Sequence, residues 1–169
     1  HSNFTNNSCE DALNIVRSEF DFKHNTISHT FADGFDADFC RGIVANCYFF
    51  KTGNDAIDFS TSKVTIKDTN IKAAGDKGIS MGEQGNAIII NTTIDGANIG
   101  IASKDLSKTT IKGVNLINCR TGFSAYQKKP EYGHASLYVE SYTAKNIEKL
   151  YKIMPGSYLK LLGAEIHGD

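Results

Sequence analysis

The chain has 169 residues, enough for one domain with a real core, and its 18 Lys and Arg against 19 Asp and Glu leave a formal net charge of -1. That balance removes any electrostatic reason to expect nucleic acid or an anionic membrane as partner, and the richest apolar stretches, such as Ala87–Ile90, are far too short for membrane insertion. The four cysteines, Cys9, Cys40, Cys47 and Cys119, are too few for a disulfide scaffold and lack the C-x-x-C spacing of a zinc site. They read as buried thiols, with a Cys40–Cys47 bridge left open for an oxidising compartment. The amino end is polar from His1 to Asp11, with neither a signal peptide nor an initiating Met, which predicts a processed form or part of a longer protein.

From Cys9 onward the chain repeats. Ala12, Gly34, Ala56, Gly78, Gly100 and Gly122 each stand 22 positions after the last. A large apolar residue follows every one: Leu13, Phe35, Ile57, Ile79, Ile101 and Phe123. Two places further come Ile15, Ala37, Phe59, Met81, Ser103 and Ala125, and between these columns lie Asn14, Asp36, Asp58, Ser80, Ala102 and Ser124. In–out–in alternation is the mark of a strand with one buried face. A second strand column runs through Ile27, Phe49, Ile71, Ile94 and Leu116, with one extra residue assigned to a turn at Glu83–Asn86. A third strand reads Val64-Thr65-Ile66 and Ile88-Ile89-Ile90. Three short strands per repeat, separated by Gly, Asn and Asp corners, predict an all-β solenoid of about seven coils. A leucine-rich repeat is set aside because Leu is sparse and no segment has helical periodicity.

Regularity ends after Ser124. Gln127–Gly133 reads as a loop, and Leu137–Tyr142, Leu150–Ile153 and Tyr158–Leu162 read as strands of degenerate coils that cap the open end. The expected organisation is one domain over 1–169, with regular coils at 9–126 and the cap at 127–169.

The units Gly53-Asn54-Asp55-Ala56-Ile57-Asp58-Phe59 and Gly75-Asp76-Lys77-Gly78-Ile79-Ser80-Met81 resemble those of the pectin-lyase-like superfamily of right-handed parallel β-helices, over about residues 8–126. More narrowly, the chain is similar to uncharacterised bacterial surface β-helix domains, some found beside spore-coat-kinase-like domains. The resemblance implies contact with polysaccharide, or service as an adhesin stalk, at an extracellular or cell-surface location. The polygalacturonase Asp-Asp pair, the epimerase motif and the pectate-lyase Arg with its calcium acids have no counterpart here, which puts inherited catalysis in doubt.

Stacking turns spacing into geometry, because residues one coil apart in a column lie about 4.8 Å apart. Asp36 and Asp58 share an outward column, Asp38 is the next outward place, and Asp11, Asp33 and Asp55 form a corner column with Asp76 one residue off it. Carboxylates at that spacing repel, so one takes a proton, moves aside or binds a cation. Asp36 and Asp58 are therefore the candidate catalytic pair of a glycosidase, and calcium is the candidate cation. The bland alternative is that the corner acids simply cap backbone N–H groups. The column of Asp38 continues through Ser60, Gly82, Lys104 and Tyr126. With Ser80 and Lys128 it offers a strip for a sugar: Tyr126 to stack, and Lys104 as a base for uronate chemistry or merely as a solvated edge guard. Two readings stand: a module binding polysaccharide or cell-surface glycan or acting as a scaffold, and a lyase or hydrolase. His24 and His29 lack a third metal ligand.

Overall fold

The computed structural model describes residues 1–168, which hold 17 β-strands and no helix. The strands wind into three parallel sheets. The first stacks β2 (Asp11–Val16), β5 (Asp33–Asp38), β8 (Ile57–Ser60), β11 (Lys77–Gly82), the last thirds of β12 (Asn86–Lys104) and β13 (Lys108–Tyr126), and β15 (Lys149–Ile153). The second stacks β3 (Glu19–Lys23), β6 (Arg41–Ala45), β9 (Lys63–Lys67), the starts of β12 and β13, then β14 (Ser136–Lys145) and β16 (Tyr158–Leu161). The third begins with β1 (Asn3–Thr5) and continues through β4 (Thr26–Thr30), β7 (Tyr48–Thr52) and β10 (Asn70–Ala74) into the middles of β12 and β13.

The pairing registers reproduce the sequence columns. Leu13 lies beside Phe35, Phe35 beside Ile57, Ile57 beside Ile79, and so on to Phe123. From Phe35 to Phe123 every member of that column is fully buried, as are Ala37, Phe59, Met81 and Ala125 in the next. Burial of such a side chain is worth about 1.5–3 kcal/mol, repeated coil after coil. Ser103 is the polar exception in its column; its hydroxyl is satisfied by Ser107 and by the Ser136 carbonyl. The small column has a steric cause. A Cβ at Gly34 would stand 2.6 Å from the Ala56 carbonyl oxygen, and one at Gly78 2.7 Å from that of Gly100.

Corners form where one residue enters the left-handed region: Arg17 (φ 49), Phe39 (φ 56) and Thr61 (φ 50) at the first, Asn46 (φ 53) and Asp68 (φ 49) at the second. The extra residue lies where the sequence places it. Gly82 pairs with Ser60 and Asn86 with Lys63, so Glu83, Gln84 and Gly85 replace a two-residue corner, with Glu83 and Gln84 both left-handed. Because the insertion sits outside the ladder, no strand slips.

One boundary moves, the cap strands form as expected, and the open alternative for the cysteines closes. Stacking starts at Asn3 rather than Cys9, since β1 pairs with β4. In the cap, β14, β15 and β16 still stack in parallel, and only β17 (Ala164–His167) turns back antiparallel on β16. Cys40 and Cys47 are free and buried in corners at opposite ends of β6, so no bridge joins them. Each thiol donates to carbonyls of its own and the preceding coil, Cys40 to Asp38 and Ile15, Cys47 to Ala45 and Phe22. Cys9, unlike the other three, is exposed.

Candidate functional site

The outward face of the first sheet carries the densest chemistry, and it divides in two. In the amino-terminal coils Asp36, Asp38 and Asp58 are half-buried and accessible. Their strands are joined by two-residue corners, so the columns stay in step. Asn14 donates to Asp36 at 3.0 Å and to Asp11 at 3.1 Å, bridging the two acids. Partial burial, with Asp38, Asp11, Asp58 and Asp33 crowding the same face, pushes the Asp36 carboxyl up to about 7. Asp38 is raised as well, by burial first and then by Glu83 and Asp58.

The corner acids behave as capping groups. Asp33 accepts from the Asp55 N–H at 2.8 Å and from Asn54, and Asp55 accepts from the Lys77 N–H at 3.0 Å. Lys77 occupies the next place in that column, and its ammonium contacts both Asp55 and Asp76. Burial still raises Asp55 to about 6 despite Lys77. For Asp76, desolvation is outweighed by the Lys77 and Asn98 hydrogen bonds, and its carboxyl is held below the usual range.

In the carboxy-terminal half the expected open strip does not exist. Ser80 is 0% exposed and Lys104 only 6% exposed. Lys104 lies back over Gly82, whose Cβ would be 3.3 Å from its Cε, and its ammonium stands 3.4 Å from both oxygens of Asp58, two coils away. Lys104 is thus a buried ion-pair partner rather than a solvated guard. Tyr126 is mostly covered too, and burial lifts its phenol to about 12. The Ser80 hydroxyl is left without a hydrogen-bond partner in this layer. Ser80 keeps its expected column place beside Asp58, but it is buried and offers no outward contact. Lys128 remains exposed, its backbone N–H held by Asp105, which also takes the Lys129 N–H at 2.7 Å.

Among the described residues no group of three or more His, Cys, Asp or Glu side chains is placed to hold a metal. His24 packs on the His1 ring and His29 against Phe50, so they form no pair.

Sequence reasoning missed a groove of about 460 Å³ at the first corner, off the acidic face. It is lined by Arg17, Phe39, Arg41, Lys63 and Gln84, among others. Its signal was present in the stacked places Glu19, Arg41 and Lys63, which pair across β3, β6 and β9.

A comparison with known families matches residues 2–150 to the model of the right-handed β-helix region. No curated protein and no solved structure matches the chain. Seven parallel coils, their registers and this match agree, and the chain belongs to the right-handed β-helix family.

Proposed function

We propose that the chain is an extracellular or cell-surface β-helix module that binds polysaccharide along the acidic half of its first sheet. The observation that carries this reading is a parallel-stacked strip on which Asp36, Asp38 and Asp58 stay accessible. Carboxylates at coil spacing are acceptors for successive hydroxyls of an extended sugar chain lying along the solenoid axis. Short corners around these coils build no deep walls, which suits binding better than enclosure of a reacting bond. A glycan-array screen of the wild type beside the double variant Asp36→Asn, Asp58→Asn tests it, run with calcium and with chelator. Binding that falls about tenfold in the variant supports the reading. Absence of binding under every condition leaves a scaffold or adhesive stalk.

One observation favours a second reading, a glycoside hydrolase or lyase. Asp36, raised to about 7, holds a proton near neutrality beside Asp58, whose carboxylate is paired with Lys104. A protonated carboxyl stacked beside a carboxylate held by a lysine is the raw material of acid and nucleophile work on a glycosidic bond. Assay of any glycan captured on the array separates the readings. New reducing ends or unsaturated products, abolished in Asp36→Asn while binding persists, establish catalysis; unchanged polymer leaves the binding module.

A further inference from the structure

The corner groove beside the acidic face has the opposite charge character. Arg17, Arg41 and Lys63 line it, and none of the three forms a salt bridge among the described residues. Most other cations in the neighbourhood are committed: Lys77 to Asp55 and Asp76, Lys104 to Asp58, Lys129 to Glu83. Arg41 and Lys63 occupy successive places of one column in β6 and β9, so their backbones lie about 4.8 Å apart along the axis. Arg17 lies over the Phe39 ring at 5.1 Å, which fixes its guanidinium at the groove's edge, and Phe39 itself is 52% exposed. Thr61, Gln84 and Asn86 add neutral hydrogen-bonding groups, and Glu19 is the acid in the lining.

Two cationic side chains rising from neighbouring places of one column gain from an anion held between them. An arginine fork and a lysine ammonium facing one concave strip match the oxygens of a tetrahedral oxyanion, and the exposed Phe39 supplies an apolar surface for a sugar ring. We infer that this groove binds the sulfate or phosphate groups of an extended acidic glycan running parallel to the solenoid axis. A nucleic acid fits less well: three cations answer few phosphates of a duplex that carries a charge about every 1.7 Å, and the adjoining first sheet offers carboxylates rather than further cations. The same carboxylates would keep an acidic glycan in the groove and off the first sheet. The inference goes beyond the function proposed above, which concerns a different face.

The test is affinity electrophoresis and calorimetry of the whole chain with dextran sulfate, phosphorylated dextran and neutral dextran, with duplex DNA as a fourth arm. The expected result is binding of one or both acidic dextrans, weakening as salt rises, with none to neutral dextran. Dextran sulfate alone, or phosphorylated dextran alone, names the oxyanion; both together assign the shared chemistry. Affinity should fall about tenfold in Arg41→Gln, Lys63→Gln. It should be unchanged in Lys112→Gln, a second-sheet lysine paired with Glu140. Asp36→Asn, Asp58→Asn should leave it intact, which keeps this outcome separate from that of the glycan array. No binding to either acidic dextran, equal loss in Lys112→Gln, or tighter binding of DNA would overturn the assignment. Thermal melts of each variant guard against misfolding, and Arg17→Gln, at the edge, should give a smaller loss that confirms the location.

Discussion

Asp58 and Ser80 are neighbours in one column of one sheet, paired residue to residue, yet one carboxylate remains within reach of solvent and the other side chain is sealed. The amino-terminal half of the face presents short acids. The carboxy-terminal half presents Lys104 and Tyr126 in the adjoining column; Lys104 folds back over Gly82, and Ser80 and Ala102 are fully buried. Parallel stacking dictates which way a side chain points, whereas the length of its neighbours dictates whether it meets water. Beneath that face the two halves are alike, since Phe35 and Phe123 are both fully buried in the same inward column.

That contrast can be attacked from inside first. Phe35→Ala and Phe123→Ala should each cost about 2–5 kcal/mol in denaturant melts, because each opens a cavity in the stacked core. A loss below about 1 kcal/mol at either place would break the inward equivalence of the halves.

A smaller effect is expected at the boundary between them. Lys77→Met strips Asp55 of its cation while leaving the carboxyl buried, and should cost about 3 kcal/mol at pH 8. Asp55 already takes a proton near pH 6, so melts at pH 5 should recover much of the loss. A deficit independent of pH would point to lost packing instead.

The smallest change belongs to the exposed acids, and it has the opposite sign. Folded Asp36 keeps its proton to about pH 7, whereas its ordinary value is 3.8. A raised carboxyl favours the fold below the lower value, and that advantage is lost as pH rises through the upper one. Asp36→Asn should therefore stabilise the chain by about 1–2 kcal/mol at pH 8, after allowance for solvent screening, and by nothing near pH 4. Equal stability of variant and wild type from pH 4 to pH 8 would show that the crowded acids are relieved in solution.

Much of the architecture was legible along the chain. The spacing of 22 residues from Ala12 to Gly122 yielded the coil and its inward columns, and even the added residue at Glu83–Gly85 was visible as a shift between Ile71 and Ile94. These features are local and repeated, so each coil states them again. The acidic column of Asp36 and Asp58 was equally readable, because direction follows strand period. Contacts across coils were not. Lys104 reaches Asp58 over an intervening coil, Lys77 answers two acids at once, and Cys40 and Cys47 fall in separate corners. Such pairings depend on side-chain reach and on which neighbour is small, and no period encodes either. The basic groove has the same origin: Arg17, Arg41 and Lys63 are scattered in the chain and meet only because successive corners stack.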